Sequence, residues 1–557
     1  MSKTVLVVGG SGVFGSRLVE RLAPMECTLV IAGRSQRRAE QLIASLSARQ
    51  PRATLRSLVL DRERVTAEQL RAAGASIVVD AAGPFQGQEP ALARAAIGAG
   101  CHFIDLADAR DYVAKFPALD ADARGAGVLA VCGASATPSL SHAVLDELCA
   151  QAGAPSEVVI AITPGNRAPR GLAVVQALLS YVGHPVKVLE EGVVRTHPGW
   201  SLLHRRRVDG LGRRWFSLCE TPDLDLVPLR FPTVRTVHFH AGLELGVLHC
   251  GLWILSLLVR ARLLRSLRPW ASGLHATVQR CGRFGTDRGG MLVEAVLWSE
   301  TGCRTHARWQ LIAAAGDGPY VPVLPALALI RKLLCGAETR HGAKACAGLL
   351  TLPEIMDEAA GLSIDTARQF SPVPALFKRS LGADFERMPM PIRVLHSPRA
   401  TTVFEGLADI DAGANRVANL LARCCRFPGA ARQVPVQVTI QAHEHCEVWR
   451  RRFGSSGFAS VMRSGPRLGL MSESFGLLRC QLRVTADERG LQLSIESARL
   501  AGMPLPLFLV PWTRATERVD EHGRFNFDVE IGLRWIGRLV RYRGWLACEA
   551  GRRECGR

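Results

Sequence analysis

Lysine is nearly missing from this chain. Only Lys3, Lys115, Lys187, Lys332, Lys344 and Lys378 occur among 69 basic residues, so the formal charge of +19 rests almost wholly on arginine. The arginines are scattered, apart from Arg205-Arg206-Arg207 and Arg450-Arg451-Arg452. A basic stripe interleaved with aromatic rings, on which single strands stack, is lacking, and nucleic acid is not expected as a partner. Sixteen cysteines are present, yet no two are spaced as CxxC, and the adjacent pair Cys424-Cys425 suits neither zinc nor a disulfide. No metal site is expected, and the thiols read as small buried apolar groups in a reducing compartment. A G-x-S-x-G elbow is also lacking, which removes support for a hydrolase. No secretory leader precedes Lys3, where an apolar strand begins at once, so the expected location is the cytoplasm.

What is present is a globular composition, 48% hydrophobic and 21% charged, in a chain of 557 residues. That length exceeds what one core can hold and corresponds to roughly three or four domains. The first 135 residues alternate apolar runs with helical patterns. KTVLVVGG leads into a helix with Phe14, Leu18 and Leu22 on one face, followed by the strand CTLVIAGR. A second helix carries Ala39, Leu42, Ile43 and Leu46 at the spacing of a one-sided apolar stripe. ATLRSLVLD, SIVVDAAG, CHFIDLAD and VLAVCGA come next. Continuous apolar strands of this kind are buried on both faces, which predicts a doubly wound α/β domain with a parallel sheet.

Between the first strand and the first helix lies Gly10-x-Gly12-x-x-Gly15. In that context the glycines let backbone N–H groups approach a pyrophosphate at the positive end of the helix and let helix and strand pack closely. The end of the second strand distinguishes the dinucleotide. An NAD site uses an acidic residue there to accept from the ribose hydroxyls. This chain has Ala32-Gly33-Arg34-Ser35 instead, with Arg37 and Arg38 close behind. A guanidinium in place of a carboxylate matches a 2′-phosphate, so NADPH is expected over NADH.

These segments together resemble a known family. Gly9-x-x-Gly12-x-x-Gly15, IAGRS at 31–35, AAGPF at 81–85, FIDLAD at 103–108 and CGASATPSLS at 132–141 look like the saccharopine dehydrogenase-like oxidoreductases, including the trans-acting enoyl reductases. The likeness spans roughly the first 350 residues. It implies that NADP is held by the glycine loop and the AGR segment, with the GPF segment near the nicotinamide. The candidate cofactor residues are Gly9, Gly10, Ser11, Gly12, Val13, Phe14, Gly15, Gly33, Arg34, Ser35, Arg38, Asp61, Ala82, Gly83, Pro84 and Phe85. Where relatives often carry a Gly-Glu pair after the Asp of FIDLAD, this chain has Ala107-Asp108.

Ligands of open α/β sheets bind beyond the carboxyl ends of the strands, so Pro84, Phe85, Asp105, Asp108 and Ser135 to Ser141 are expected around the reactive ring. Thr137-Pro138 reads as the cap and first residue of the helix SLSHAVLDELCAQ. Asp108 and Ser139 are the candidate proton donors; Ser139, Ser141 and His142 read equally as polar residues of a first helical turn. From 155 onward EVVIAITP and GLAVVQALLSYVG suggest a second α/β domain for the substrate. The segment GLELGVLHCGLWILSLLVRARLLRSLRPW from 242 admits three readings: an interfacial or oily-substrate helix, a buried core helix, or a membrane span interrupted by Glu244 and His249. Pro-rich breaks at Ser371–Pro374 and Met388–Pro391 suggest a linker. Beyond it, alternating strands predict an antiparallel sheet or partly closed barrel with one helix, GANRVANLLARCC, lying against it. That last third resembles a domain of unknown function found behind such reductases. His238 with His240, and His443 with His445, share strand faces but read as solvated rather than metal-binding.

The expected organisation is residues 1–140 binding NADP, 141–370 as a substrate domain, 371–390 as linker and 391–557 as a β-rich domain. The expected function is an NADPH-dependent oxidoreductase acting on a carbonyl or enoyl group of a lipophilic or polyketide-like compound. Two alternatives stand beside it: a non-catalytic NADP sensor and a membrane-surface, lipid-binding protein. A homo-oligomer and peripheral contact with the inner face of the membrane are compatible with either.

Overall fold

The computed structural model describes residues 3–548 apart from 170, 301–302, 399–400, 426 and 444–445. The chain forms two units, one of Met1–Leu297 with His306–Ser371, the other of Trp298–Thr305 with Pro372–Arg557.

The first unit opens with β1 (Thr4–Val8), β2 (Thr28–Gly33), β3 (Thr54–Val59), β4 (Ile77–Asp80), β5 (His102–Asp105) and β6 (Leu129–Cys132), joined by helices that include α1 (Val13–Leu22) and α2 (Gln36–Ser47). All pair in parallel, in the order β6-β5-β4-β1-β2-β3, with Val7 opposite both Ile31 and Val79. Val5 and Val7 enter one core while Leu6 and Val8 enter another, so both faces of the sheet are covered, as continuous apolar strands require. Leu18, Val19 and Leu22 of α1 and Ala39 and Leu46 of α2 are the buried stripes. Chain order reverses between β1 and β4, and their carboxyl ends create the crevice where such sheets bind ligands.

One strand of this sheet comes from elsewhere. Gly342–Ala345 pairs in parallel with β6, Ala343 opposite Ala130, and makes a seventh strand. Four residues reading GAKA give no alternation or apolar run by which to recognise them, and the expected boundary at 140 therefore cuts the sheet's own edge.

The second sheet of this unit is mixed. Ala154–Thr163 and Thr236–Leu243 lie parallel at its centre, and Gly212–Leu218 adds antiparallel to the latter. The helix Gly246–Arg260 packs on it through His249, Leu252, Ser256 and Val259, while Val247, Ile254 and Leu257 are exposed. It is apolar on both sides because one side is core and the other is open. Among the described residues no helix is long and apolar enough to cross a membrane.

In the second unit ten antiparallel strands close into a barrel. Their order is Leu478–Asp487, Leu470–Phe475, Ser456–Ser464, Cys446–Phe453, Ala431–Ala442, Thr401–Asp411, Gly537–Cys548, Phe525–Leu533, Trp512–Val519 and Gly490–Leu500, the last pairing back with the first. Phe404, Ile440, Trp449, Leu482 and Tyr542 are among the side chains filling it. The helix Arg416–Cys424, capped by Asn415, lies against Gly537–Cys548. Residues 371–390, expected as linker, instead carry Leu376, Phe377, Leu381, Phe385 and Met388 into this core. Pro372 ends a strand, and Pro389 and Pro391 cap and open the short helix Met390–Leu395 rather than loosening the chain, since a proline in the first helical turn needs no N–H partner.

Candidate functional site

The glycine-rich turn is shaped by backbone meeting backbone. Gly9 has φ +74°, and a Cβ there would stand 2.8 Å from Ala82 Cβ at the end of the neighbouring strand. A Cβ on Gly15 would lie 2.1 Å from the Gly9 carbonyl oxygen and 2.8 Å from Gly10 Cα. Gly12 donates its N–H to Gly9 at 2.8 Å and caps α1 with no side chain of its own. No acidic residue occupies the first turn of α1. The N–H groups of Val13 and Phe14 therefore open onto a positive helix end without a protein anion, and Ser11 stands at the crest of the turn.

Along the crevice, Arg34, Ser35 and Arg38 are exposed at the start of α2, whose first turn also lacks an acidic residue. Among the described residues neither Arg34, Arg37 nor Arg38 has an ion pair. Three cations at a helix N-terminus are unfavourable by themselves and would be answered by a bound anion. A Cβ at Gly33 would meet nothing within 4 Å, so that strand end is open to a ligand. Asp61 is exposed and spends one oxygen on the Glu63 N–H at 3.1 Å.

Arg62, which no motif singled out, holds the next turn. Its Nε is 3.0 Å from Asp80 Oδ2, its guanidinium also donates to the Ala82 carbonyl, and its carbon lies 4.6 Å from the Phe85 ring centre. Asp80 is buried, which raises its pKa to about 6 against the pull of Arg62. The structure turns Phe85 inward: it is 4% exposed and packs edge-on against Tyr112 at 5.3 Å. Phe85 thus supports the loop, while Gly83 and Pro84 form its outer surface. Gly83 faces a helix of the second sheet's layer, Leu172–Tyr181, with Ala173 Cβ 3.8 Å from the site of a Cβ on Gly83. Leu172 and Val174 of that helix are exposed.

The acids and hydroxyls expected around the ring separate into two groups. Asp105 has no exposed surface and accepts from the N–H groups of Gly133 at 2.7 Å and Ala107 at 2.9 Å. Burial raises its pKa to about 7, so it ties β5 to the loop after β6 rather than facing a substrate. Ser139 departs from its expected role in the same way. It is 2% exposed and meets the Cys346 thiol at 3.2 Å, in an irregular turn that ends where the helix Ser141–Ala152 begins. Ser141 donates to Asp223 at 2.6 Å, and His142 is sealed beside them with its pKa pushed down to about 3 by burial and Arg230. Asp108 alone is open to solvent. The mass of protein around it still raises its carboxyl, partly offset by Gln86 Nε2 donating at 3.1 Å. Behind it the Tyr181 hydroxyl and Cys219 thiol meet at 2.6 Å, both raised by burial and by Asp108, so both stay neutral. Arg110 bonds Asp225 at 2.6 Å and the Lys187 carbonyl at 2.8 Å, holding the two layers that flank this cleft.

The pair His238 and His240 differs from the solvated face expected. His238 and His197 each meet Glu190 Oε1 at 3.0 Å, and His240 is buried 4.7 Å from His204. His445 lies outside the described residues.

Residues 5–131 match the saccharopine dehydrogenase NADP binding domain. This NADP-binding domain implies NADP(H) as cofactor and an NAD(P)-dependent oxidoreductase as the class of protein. Its residues fit the cofactor: the cradle left by absent Cβ atoms, the uncapped helix end and the unpaired arginines all answer phosphates. Residues 388–546 match DUF4166, a domain of unknown function. No curated protein matches by sequence. Among solved structures, a saccharopine dehydrogenase (L-Glu forming) from Saccharomyces cerevisiae is 12% identical over 66% of this chain and all of its own, with a TM-score of 0.49. A short-chain dehydrogenase from Sphingobium yanoikuyae in complex with NADPH is 18% identical over 23% of this chain and 70% of its own, with a TM-score of 0.20.

Asp105 supplies a test of the frame around the NADP-binding domain. Its folded pKa stands above the unfolded value near 3.9, so the native state holds the extra proton. Its contribution to stability is fully present below about pH 4 and is lost as pH rises through about 7. Asp105→Asn keeps an oxygen for the two N–H donors and has no proton to lose. The variant's stability relative to the parent is expected to rise between pH 4 and 7 and then level off, measured as urea midpoints at each pH; a constant difference would refute the assignment.

Proposed function

We propose that the chain is an NADPH-dependent reductase of a carbonyl or enoyl group on a lipophilic substrate, with Asp108 delivering the proton. What supports the reading is the set of groups that follow the carboxyl ends of β1, β4 and β5. An uncapped helix end and a glycine cradle lie at one end, and a raised, solvent-open carboxyl flanked by neutral Tyr181 and Cys219 lies beyond it. When bound, the dihydronicotinamide supplies the hydride. Gly9 to Gly15 hold the pyrophosphate, Arg34 and Arg38 take the 2′-phosphate, and Gly83 with Pro84 flank the ring. Asp108, kept protonated more readily than an ordinary carboxyl, donates to the carbon or oxygen that the hydride leaves negative. The apolar character of the substrate is supported by Leu172 and Val174, which leave apolar surface exposed beside Gly83.

Lengthening the chain of an enoyl or keto acceptor is expected to raise kcat/KM for NADPH oxidation stepwise, each buried methylene contributing about 0.8 kcal/mol until the groove is full. NADPH binding without turnover on any acceptor would favour a sensor, and preference for short polar amino-acid acceptors would overturn the lipophilic reading.

Cofactor choice is tested separately. Arg34→Asp removes a charge-assisted contact to the 2′-phosphate and sets a carboxylate against it. It should weaken NADPH by about 2 kcal/mol, near thirtyfold, with little effect on NADH. Titration of nicotinamide fluorescence measures both; equal weakening would remove Arg34 from the site.

A further inference from the structure

We propose that the open face of the helix Gly246–Arg260, with the arginine-rich turn that follows it, docks on an anionic phospholipid surface. The helix buries one face against its sheet and leaves the opposite face apolar and uncovered. Val247 is 85% exposed and Ile254 55%, seven residues apart and so on one side of the helix. In the segment after the helix, Leu263 and Trp270 are exposed at 72% and 60%. Solvent-exposed apolar side chains so concentrated in one segment mark a contact surface.

Charge specifies what covers it. Arg260, Arg262, Arg265 and Arg268 follow directly, all exposed, and none has an ion pair among the described residues. From Leu245 to Thr286 the sequence contains no Asp or Glu. Arg260, Arg262 and Arg265 also line an open cavity of about 710 Å³ together with His184, His197 and Leu264. Apolar side chains sunk into the acyl boundary, with guanidinium groups level with phosphates and a tryptophan between, are the arrangement of an interfacial helix. A second copy of the chain fits less well, because a twofold contact needs a self-complementary face, and this one offers four arginines with no carboxylate between Leu245 and Thr286 to answer them. Crossing the bilayer is excluded by length: fifteen residues rise about 22 Å, short of a hydrocarbon core of about 30 Å.

The inference does not depend on the reductase reading, since it is read by binding alone. The full chain should cosediment with vesicles of phosphatidylglycerol and phosphatidylcholine in equal parts and not with phosphatidylcholine alone, and added salt should release it. Arg262→Glu with Arg265→Glu should lower the partition coefficient at least about tenfold. Val247→Glu with Ile254→Glu should abolish binding while NADPH affinity and circular dichroism stay unchanged, because both positions are exposed. Failure of the parent to bind anionic vesicles would overturn the proposal. So would equal binding to neutral vesicles that the arginine variants leave intact. A dimer in sedimentation velocity that the glutamate variants dissociate, without vesicle binding, would assign the face to a second copy instead.

Discussion

Asp108→Asn is expected to lower kcat for NADPH oxidation about 10²- to 10⁴-fold, the range of a lost general acid. NADPH affinity should stay within about twofold, because the residue lies beyond the phosphate cradle and a twofold change is only about 0.4 kcal/mol. The pH profile separates this role from a merely structural one. In the parent, kcat should fall as pH rises through the elevated pKa of Asp108, since the proton to be donated is lost. In the variant that limb should vanish and leave a low, flat rate. A variant that keeps the same limb at reduced amplitude would transfer the role to another group, and the neutral Tyr181 would be the next to test.

Gly15→Ala should have the largest effect on cofactor binding. The added methyl would stand 2.1 Å from the Gly9 carbonyl oxygen, and both neighbours it meets are backbone, which no rotamer change can move aside. Overpacking of this kind costs about 1–3 kcal/mol. The turn, rather than the sheet beneath it, is the part free to yield, and its displacement pulls the N–H groups of Val13 and Phe14 out of register with the pyrophosphate. NADPH should weaken about a hundredfold, with the thermal transition lowered by only a few degrees. Unchanged affinity by calorimetry would mean that the phosphates bind elsewhere.

The cradle was legible because its causes are local. Glycine spacing, strand apolarity and the missing carboxylate after β2 all act within a few residues of the ligand they imply. What escaped depends on long-range partners. Arg62 becomes a support only because β4 and the Ala82 carbonyl come to it from twenty residues on. Ser139 and Phe85 carry the right residue types at the right strand ends, and only tertiary contacts with Cys346 and Tyr112 show that they face inward. The segment after Gly242 stayed ambiguous for a different reason. A helix with an apolar core face and an apolar open face has the same composition as a wholly buried one, and only exposure tells them apart.

The seventh strand of the first sheet carries a consequence for synthesis on the ribosome. β6 ends at Cys132, and the strand that covers its edge begins at Gly342. At about 5–20 residues per second, the interval between them lasts on the order of 10–40 s. Throughout that time a strand whose four residues are all buried in the finished protein has a free row of backbone donors and acceptors. The nascent nucleotide domain can therefore fold early but stays adhesive along one side until more than half of the chain has emerged. A chaperone that occupies this edge would raise the yield of the whole protein without touching the mature enzyme.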